Sequence, residues 1–304
     1  MASPDRHFVF VLHGARANLA EVRHLVGWVR DKGIRVTPRV TWEAGDATRF
    51  AREAVRDGAS TVVAVGGDGT VNEVVNGLVG SGVPLGVIPI GTANDFARQA
   101  GIPDDPNHAM DVILRQPPRP MDVGEVNGRA FLNVSTGGVG AETTAETSPA
   151  AKERLGSFAY ALTGMKKLGG LRPRRGWFSG PGFEYRGDWL LFAVGNGRST
   201  GGGTAITPHA SVTDGLLDIC VIEAVPRAEF ARLTLLVRKG EHLGHPAVRY
   251  AQLPELTIES ARAISVNVDG EPVNASRLRY RAIAGGLLVH LPPEAGPQTS
   301  LGDG

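Results

Sequence analysis

Two glycine-rich segments in the first hundred residues contain the residue types that hold phosphate groups. The first, Gly66-Gly67-Asp68-Gly69-Thr70, follows the apolar residues 61–65 and precedes an apolar periodic segment that begins at Val71. Its glycines permit positive φ and let an anion approach the backbone, whose free N–H groups favour negative charge. Because Asp68 would repel a bare phosphate, we expect it to hold Mg²⁺, or water bound to Mg²⁺, beside a nucleotide. A tight turn without a ligand is the alternative.

The second glycine-rich segment lies where another predicted strand ends. Residues 84–90 are apolar and run into Gly91-Thr92-Ala93-Asn94-Asp95-Phe96. Because the carboxyl ends of parallel strands meet at one edge of a sheet, we expect both polar segments to face one crevice. The chain has neither the G-x-x-x-x-G-K-[ST] motif nor the G-x-G-x-x-G spacing after a first strand. A P-loop enzyme and an ordinary dehydrogenase are therefore disfavoured.

Acidic residues after position 120 suit proton transfer or cation binding. Asp269-Gly270-Glu271-Pro272 follows an alternating strand pattern, and its glycine permits a sharp turn that exposes both carboxylates. Asp214 lies in a loop over residues 211–216 whose carbonyl oxygens can converge on a hard cation. Asp122 begins an apolar strand. The alternatives are solvated Asp-Gly turns for the first two segments and a strand-edge charge for Asp122.

Composition is that of an ordinary globular protein. The 304 residues are 42% hydrophobic and 21% charged, with a formal net charge of +1, which argues against a nucleic-acid binder with a basic field. The single Cys220 allows no internal disulfide and fits a reducing cytoplasm. No apolar run approaches the roughly 20 residues that cross a bilayer. We therefore expect a cytoplasmic protein that visits a membrane without spanning it.

The predicted elements change in character near residue 120. Residues 8–117 alternate apolar strands with helical patterns, and Asp105-Pro106 supplies an N-cap and a first-turn proline for the last helix. This order predicts a doubly wound parallel α/β sheet. Strands and hairpins follow, including an Asn127-Gly128 turn, and predict mainly antiparallel β structure. Glu241–His245 lacks the spacing of a zinc protease motif, so we expect a solvent loop there.

These patterns predict an α/β fold of two domains. An N-terminal, doubly wound α/β nucleotide-binding domain is expected over residues 1–120, and a C-terminal, mainly antiparallel β domain over residues 121–295. Residues 296–304 are polar and glycine-rich, which is typical of a flexible tail.

The two glycine-rich segments together resemble the diacylglycerol kinase superfamily, which also holds sphingosine kinases and, more remotely, NAD kinases. Further segments narrow the resemblance to the bacterial YegS-type lipid kinases. These segments are Val40-Thr41-Trp42-Glu43 with Gly45-Asp46-Ala47, Asn133 with Thr136-Gly137-Gly138, Gly195-Asn196-Gly197-Arg198 with Gly201-Gly202-Gly203, Asp214-Gly215-Leu216-Leu217, and Asp269-Gly270-Glu271-Pro272. They span most of residues 8–293.

The resemblance implies an ATP-dependent lipid kinase that phosphorylates a hydroxyl of a glycerolipid, with phosphatidylglycerol or diacylglycerol as the leading acceptors. It also implies a two-domain clamp around a cleft, in which the second domain binds the lipid and the final strands return to the first domain. By resemblance, Glu271 is the proton acceptor, and Asp269 is its partner or the alternative base. The nucleotide would contact Thr41, Val65, Gly66, Gly67, Asp68, Gly69, Thr70, Val71 and Thr92.

Two metal sites are also implied by the resemblance. Asp122 would join Asp68 in a water-mediated Mg²⁺ network. The carboxylate of Asp214 and the carbonyls of Ser211 and Leu216 would form a second, regulatory site for Mg²⁺ or Ca²⁺.

Two other functions remain open from the sequence. An NAD kinase shares the Gly-Gly-Asp-Gly-Thr loop, although not the context of the second loop or of Asp-Gly-Glu-Pro. A nucleotide-responsive lipid-binding regulator without turnover is the alternative outside the enzymes, and Asp68 and Glu271 argue against it. Residues 155–165 have helical apolar periodicity and precede basic residues, so this segment is a candidate for peripheral membrane contact. A helix that faces the protein core is the alternative.

Overall fold

The computed structural model describes residues 6–17, 20–138 and 172–293. The strands are β1 (His7–Leu12), β2 (Arg35–Val40), β3 (Thr61–Gly66), β4 (Leu85–Pro89), β5 (Pro118–Val126), β6 (Arg129–Phe131), β7 (Val134–Gly138), β8 (Arg174–Gly180), β9 (Phe183–Gly195), β10 (Leu217–Glu223), β11 (Val248–Leu253), β12 (Glu255–Val268) and β13 (Glu271–His290). The helices are α1 (Ala20–Asp31), α2 (Asp46–Arg56), α3 (Asp68–Leu78), α4 (Asp95–Gln99), α5 (Pro106–Arg115) and α6 (Arg227–Lys239). The predictions for residues 155–165 and for the tail at 296–304 lie outside the described residues.

The N-terminal region is a parallel sheet in the order β4-β3-β1-β2. Every residue of β1 and β3 is buried, as near-continuous apolar runs in a parallel sheet require. The predicted cap of α5 is present, since the Asp105 carboxylate accepts hydrogen bonds from the backbone N–H groups of Asn107 and His108 at 3.0 and 2.9 Å. The predicted α/β architecture is confirmed.

The C-terminal region is mainly antiparallel, in the order β11-β10-β9-β7-β12-β13, with β8 paired to both β9 and β12. Its core contains Trp189, Phe192 and Phe178, whose rings make edge-to-face contacts with centroids 5.1 to 6.0 Å apart. The Asn127-Gly128 turn has positive φ at both residues, 48° and 84°, as a type I′ hairpin requires.

Strand β13 joins the two regions. It pairs in antiparallel fashion with β12 and β5, and near its end Val289 pairs in parallel with Leu85 of β4. Helix α3 makes a second connection through Asn72 and Asn76. Asn72 Nδ2 donates to the Asp269 carboxylate of the turn before β13, at 2.9 Å. Asn76 exchanges hydrogen bonds with the backbone of Ala130 in β6, at 3.0 and 2.9 Å. These links place the turn before β13 beside the helix that begins at the first glycine-rich segment.

The sequence prediction of a solvent loop at Glu241–His245 is wrong for His242. This side chain is buried, and its Nε2 lies 3.1 Å from the Ile206 carbonyl, which accepts its hydrogen bond. Among the described residues, no helix has the length and apolar character needed to cross a bilayer.

Candidate active site

A cavity of about 620 Å³ opens at the carboxyl ends of β1, β2, β3 and β4. This is the edge at which the sequence places its polar segments. The cavity is lined by His13, Gly14, Ala15, Arg16, Thr41, Trp42, Glu43, Ala44, Ala47, Gly67, Gly69, Thr70, Glu73, Ile90, Gly91 and Glu271. Five of the predicted site residues, from three distant parts of the chain, thus share one wall: Thr41, Gly67, Gly69, Thr70 and Glu271.

The remaining nucleotide-binding residues of the prediction lie around this wall. Val65 and Val71 are buried in the hydrophobic core directly beneath the loop. An added Cβ at Gly66 would lie 2.5 Å from the Thr70 hydroxyl oxygen, so glycine is required by the local packing. Thr92 is exposed on the second loop. A direct nucleotide contact through these four residues stays a prediction.

The two glycine loops, residues 66–70 and 91–96, pack backbone against backbone. An added Cβ at Gly91 would lie 2.5 Å from the Gly67 Cα, and Ile90 N–H donates to the Gly66 carbonyl at 3.0 Å. Asn94, with φ 49°, closes the second loop, because its side chain accepts from Gly91 N–H at 3.0 Å and donates to the Gly91 carbonyl at 3.1 Å. The two loops are therefore in fixed contact and together form part of the cavity wall at the start of α3.

Asp68 connects the two loops through its side chain. It is the first residue of α3, and its Oδ1 accepts a hydrogen bond from Phe96 N–H of α4 at 3.1 Å. The first N–H groups of an α-helix have no partner within the helix and attract anions. The wall therefore offers backbone donors for phosphate oxygens. Asp68 itself is not among the residues that line the cavity, and its role in holding a cation stays a prediction.

The Asp269 carboxylate is enclosed by hydrogen-bond donors. It accepts from the backbone N–H groups of Leu132, Asn133 and Val134, at 2.6, 3.2 and 3.1 Å, and from Asn72 Nδ2 of α3 at 2.9 Å. Its pKa is raised to about 6, because burial and the charge of Asp68 outweigh the three backbone donors, which lower it. These contacts make Asp269 an anchor that fixes the turn before β13 to α3. Its role as an alternative base stays a prediction.

Glu271 differs from Asp269 in its surroundings. It is the first residue of β13, its side chain is 55% exposed, and it lines the cavity. Its Oε2 lies 3.9 Å from Arg129 Nη2 of β6. A carboxylate that faces the cavity can accept a proton from a bound hydroxyl, and the role of Glu271 as the proton acceptor stays a prediction.

Two family models cover nearly the whole described chain. Residues 8–126 match the diacylglycerol kinase catalytic domain, and residues 133–290 match the YegS C-terminal NAD kinase beta sandwich-like domain. A Pseudomonas aeruginosa (strain PAO1) protein described as "Probable lipid kinase YegS-like" is 45% identical over 93% of this chain and 94% of its own. The chain belongs to the YegS-like lipid kinases. A Xanthomonas oryzae pv. oryzae protein of the same description is 40% identical over 94% of this kinase and 96% of its own length.

Solved structures share the fold of this kinase. One from Bacillus anthracis str. Sterne, described as "a putative diacylglycerol kinase", has a TM-score of 0.81 at 24% identity, and covers 95% of this chain and 96% of its own. A second, described as a diacylglycerol kinase from the same organism, has a TM-score of 0.72 at 22% identity over 95% of this chain and 97% of its own. The family assignment makes this chain a kinase that acts on a nucleotide and a lipid.

Asp122 of the kinase is buried and makes two short hydrogen bonds. Its Oδ1 accepts from Gly285 N–H at 2.7 Å, and its Oδ2 accepts from Gly215 N–H at 2.6 Å. Gly215 follows Asp214, so these bonds lead from Asp122 to the loop of the second predicted metal site. The water-mediated network with Asp68 stays a prediction.

The loop over residues 211–216 is an ordered turn. Asp214 Oδ1 accepts from Leu216 N–H at 3.0 Å, and the hydroxyls of Ser211 and Thr213 lie 3.2 Å apart. Across the described part of the chain, no cluster of three or more His, Cys, Asp or Glu side chains forms a metal site. A cation here would therefore depend on one carboxylate and on backbone oxygens, a donor set that suits Mg²⁺ or Ca²⁺.

The sequence analysis includes Asp95 in the second glycine-rich segment but assigns it no role in the site. Its two carboxylate oxygens each lie 3.1 Å from Gly202 N, which donates to them. Burial raises the pKa of Asp95, the Gly202 N–H lowers it, and the charge of Asp68 raises it. Gln99 makes a second contact between α4 and the loop that contains Gly202, since its Oε1 accepts from Arg198 N–H at 2.7 Å. The place of Asp95 in the second glycine-rich segment, directly after Asn94, is the sequence signal for this residue.

Proposed function

We propose that this lipid kinase transfers the γ-phosphoryl group of ATP, with Mg²⁺, to a hydroxyl of a glycerolipid such as phosphatidylglycerol or diacylglycerol. One observation carries the proposal: both glycine loops and Glu271 line a single cavity. Phosphoryl transfer needs a phosphate seat, a cation and a proton acceptor within reach of one another. A regulator without turnover would not need a carboxylate that faces the cavity at this place.

The phosphate seat is supported by the shape of the wall. Gly69 lines the cavity, and an added Cβ there meets no protein atom within 4 Å, so this part of the backbone is open to a ligand. Close approach of phosphate to such a backbone explains the glycine. The rigid contact between Gly67 and Gly91 holds the seat in place before the nucleotide arrives.

Glu271 is the proposed base. As the acceptor hydroxyl oxygen attacks the γ-phosphorus, the carboxylate takes the hydroxyl proton, the bond to the β-phosphate oxygen breaks, and ADP leaves. Asp269 positions this step indirectly, because its four donors fix the turn that presents Glu271. Positioned bases of this kind contribute about 10²–10⁴ in rate.

We assign the metal ligands from the side-chain and backbone oxygens that Mg²⁺ and Ca²⁺ prefer. Mg²⁺, when bound, neutralises charge on the phosphates, and Asp68 would hold it, with Asp122 as the second carboxylate of the network. Asp214, with the carbonyls of Ser211 and Leu216, would hold a second Mg²⁺ or Ca²⁺.

We also infer which part of the chain binds each substrate. Residues 1–120 would form the nucleotide-binding domain and residues 121–295 the lipid-binding domain, with transient contact to a membrane that supplies the lipid. The β13 connection and the Asn72 and Asn76 contacts support a site that needs both parts of the chain.

The test is phosphate transfer from γ-labelled ATP to mixed vesicles that contain phosphatidylglycerol, diacylglycerol or neither. We expect label in the lipid extract only with a hydroxyl-bearing glycerolipid and Mg²⁺. Replacing the vesicles with NAD tests the NAD kinase alternative in the same assay. Label in NADP, or ATP binding without transfer to any lipid, would contradict the proposal.

A further inference from the structure

Trp42 is the most unusual side chain of the cavity wall. It is 90% exposed, whereas the other exposed tryptophan of the described chain, Trp177, is 41% exposed and Trp189 is fully buried. Large aromatic side chains usually bury 150–250 Å² each. Leaving the whole indole in water costs hydrophobic stabilisation, and its place in the wall suggests that a ligand covers it.

The exposure of Trp42 is held by its own loop. The backbone N–H groups of Trp42 and Glu43 both donate to Asp46 Oδ2, at 2.8 and 3.2 Å, and Arg49 pairs with Asp46 Oδ1 at 2.6 Å. These contacts lower the pKa of Asp46 and keep it charged. The Glu73 carboxylate of α3 also accepts from Ala47 N–H, at 3.2 Å. Trp42 is thus presented by a fixed loop.

Trp42 lies at the end of the cavity farthest from the two glycine loops. Trp42 follows β2, the edge strand, while the glycine loops follow β3 and β4. Strands β3 and β2 are separated by β1, so their ends lie about 10 Å apart at the usual strand spacing. If the phosphates occupy the glycine-loop end of the cavity, the opposite end at β2 remains for the base.

We propose that the Trp42 indole is the stacking surface for the base of the phosphoryl donor. This inference rests on the proposed function, because it assumes a nucleotide with its phosphates at the glycine loops. Every base has a π-face, so stacking strengthens binding without choosing among bases. Trp42 therefore sets affinity for the nucleoside part, independently of the chemistry at Glu271.

The neighbouring Thr41 supplies the selectivity that stacking lacks. Its hydroxyl donates to the Leu12 carbonyl at 3.3 Å and accepts from Gly14 N–H at 3.2 Å. A hydroxyl has one donor and two acceptor positions, so only an acceptor position remains for a ligand. Adenine offers a donor at its 6-amino group, and guanine has an acceptor oxygen there. The pair Thr41 and Trp42 therefore favours ATP over GTP.

The experiment measures the Kd of ADP by calorimetry for the full-length kinase and for Trp42→Ala and Trp42→Phe, with Trp177→Ala as the matched exposed control. We expect Trp42→Ala to raise the Kd about tenfold, Trp42→Phe to raise it less than about threefold, and Trp177→Ala to leave it unchanged. Inorganic tripolyphosphate, which has no base, should bind wild type and Trp42→Ala equally.

The outcomes separate the inference from the proposed function. Absence of ATP turnover and of ADP binding in the wild type would overturn both. Normal ADP binding and turnover in the wild type, with an unchanged Kd in Trp42→Ala, would overturn only the stacking role. If Trp42→Ala no longer binds phosphatidylglycerol vesicles while its Kd for ADP is unchanged, Trp42 contacts the membrane and not the base. That result would overturn the inference as well.

Discussion

Gly67 and Gly91 touch through their backbones, so closely that an added Cβ at Gly91 would lie 2.5 Å from the Gly67 Cα and 2.7 Å from Asn94 Oδ1. Residues 24 positions apart in sequence thereby form one part of the cavity wall. The contact explains why glycine stands at these two strand ends.

Gly91→Ala should therefore disturb both loops at once. Inserting a methyl group into such a contact typically costs about 1–3 kcal/mol. We expect a lower Tm together with weaker nucleotide binding, measured by calorimetry. Gly27→Ala is the control, since an added Cβ in α1 meets nothing within 4 Å. A Gly91→Ala protein that equals the Gly27→Ala protein in Tm and ADP affinity would refute the packing argument.

Asp68→Ala should weaken nucleotide binding mainly in the presence of Mg²⁺, because it removes the carboxylate beside the phosphate seat. The substitution also removes the acceptor of Phe96 N–H. Asp68→Asn separates the two effects, since the amide oxygen keeps that acceptor while the negative charge is lost. We expect both variants to lose the Mg²⁺ dependence of the ATP Kd in a titration. If the ATP affinity of Asp68→Ala varies with Mg²⁺ as that of the wild type does, Asp68 does not bind the metal.

Asp214→Ala tests the second metal site through thermal stability. A cation that binds only the native loop stabilises the fold by RT ln(1 + [L]/Kd), about 2.7 kcal/mol at 100 times its Kd. We expect added Mg²⁺ or Ca²⁺ to raise the Tm of the wild type without nucleotide, and Asp214→Ala to lose much of that increment. Asp104→Ala, at an exposed acid outside this loop, should keep it. Equal shifts in wild type and Asp214→Ala would show that residues 211–216 are only a turn.

The buried His242 makes the fold sensitive to acid. Burial lowers its pKa, although the hydrogen bond to the Ile206 carbonyl opposes the change, and burial lowers the pKa of His290 as well. An unfolded histidine takes up its proton near pH 6.5, while the folded one stays neutral. The free energy of unfolding should therefore decrease as the pH falls below about 6.5.

Urea unfolding between pH 7.5 and pH 5 measures this slope. We expect His242→Gln to be less stable at pH 7.5 but to have a flatter pH profile than the wild type. His24→Gln, on the exposed face of α1, should retain the wild-type slope. A slope that His242→Gln leaves unchanged would show that His242 is not the titrating group.

The sequence was sufficient for features that depend on local order. Apolar runs ending in glycine predict β3 and β4 with their loops, and Asp105-Pro106 predicts the start of α5, because neighbouring residues decide these structures. The partners of Asp269 and Asp122 were beyond such reasoning. Asp269 binds Asn72 across 197 positions, and Asp122 binds Gly285 across 163. The burial of His242 is beyond local reasoning for the same reason, since its partner Ile206 lies 36 positions away in the sequence.

The most direct test of the account is the rate of phosphate transfer from ATP to lipid by Glu271→Gln. We expect turnover to fall by about 10²–10⁴ with the Tm and the ADP Kd nearly unchanged, because the amide keeps the shape of the side chain but cannot accept the proton. Glu259→Gln is the matched control, since Glu259 of β12 also pairs with an arginine, Arg277 of β13 at 3.0 Å, but does not line the cavity. It should keep wild-type turnover. A Glu271→Gln enzyme that retains more than half of the wild-type rate would contradict the assignment of Glu271 as the base.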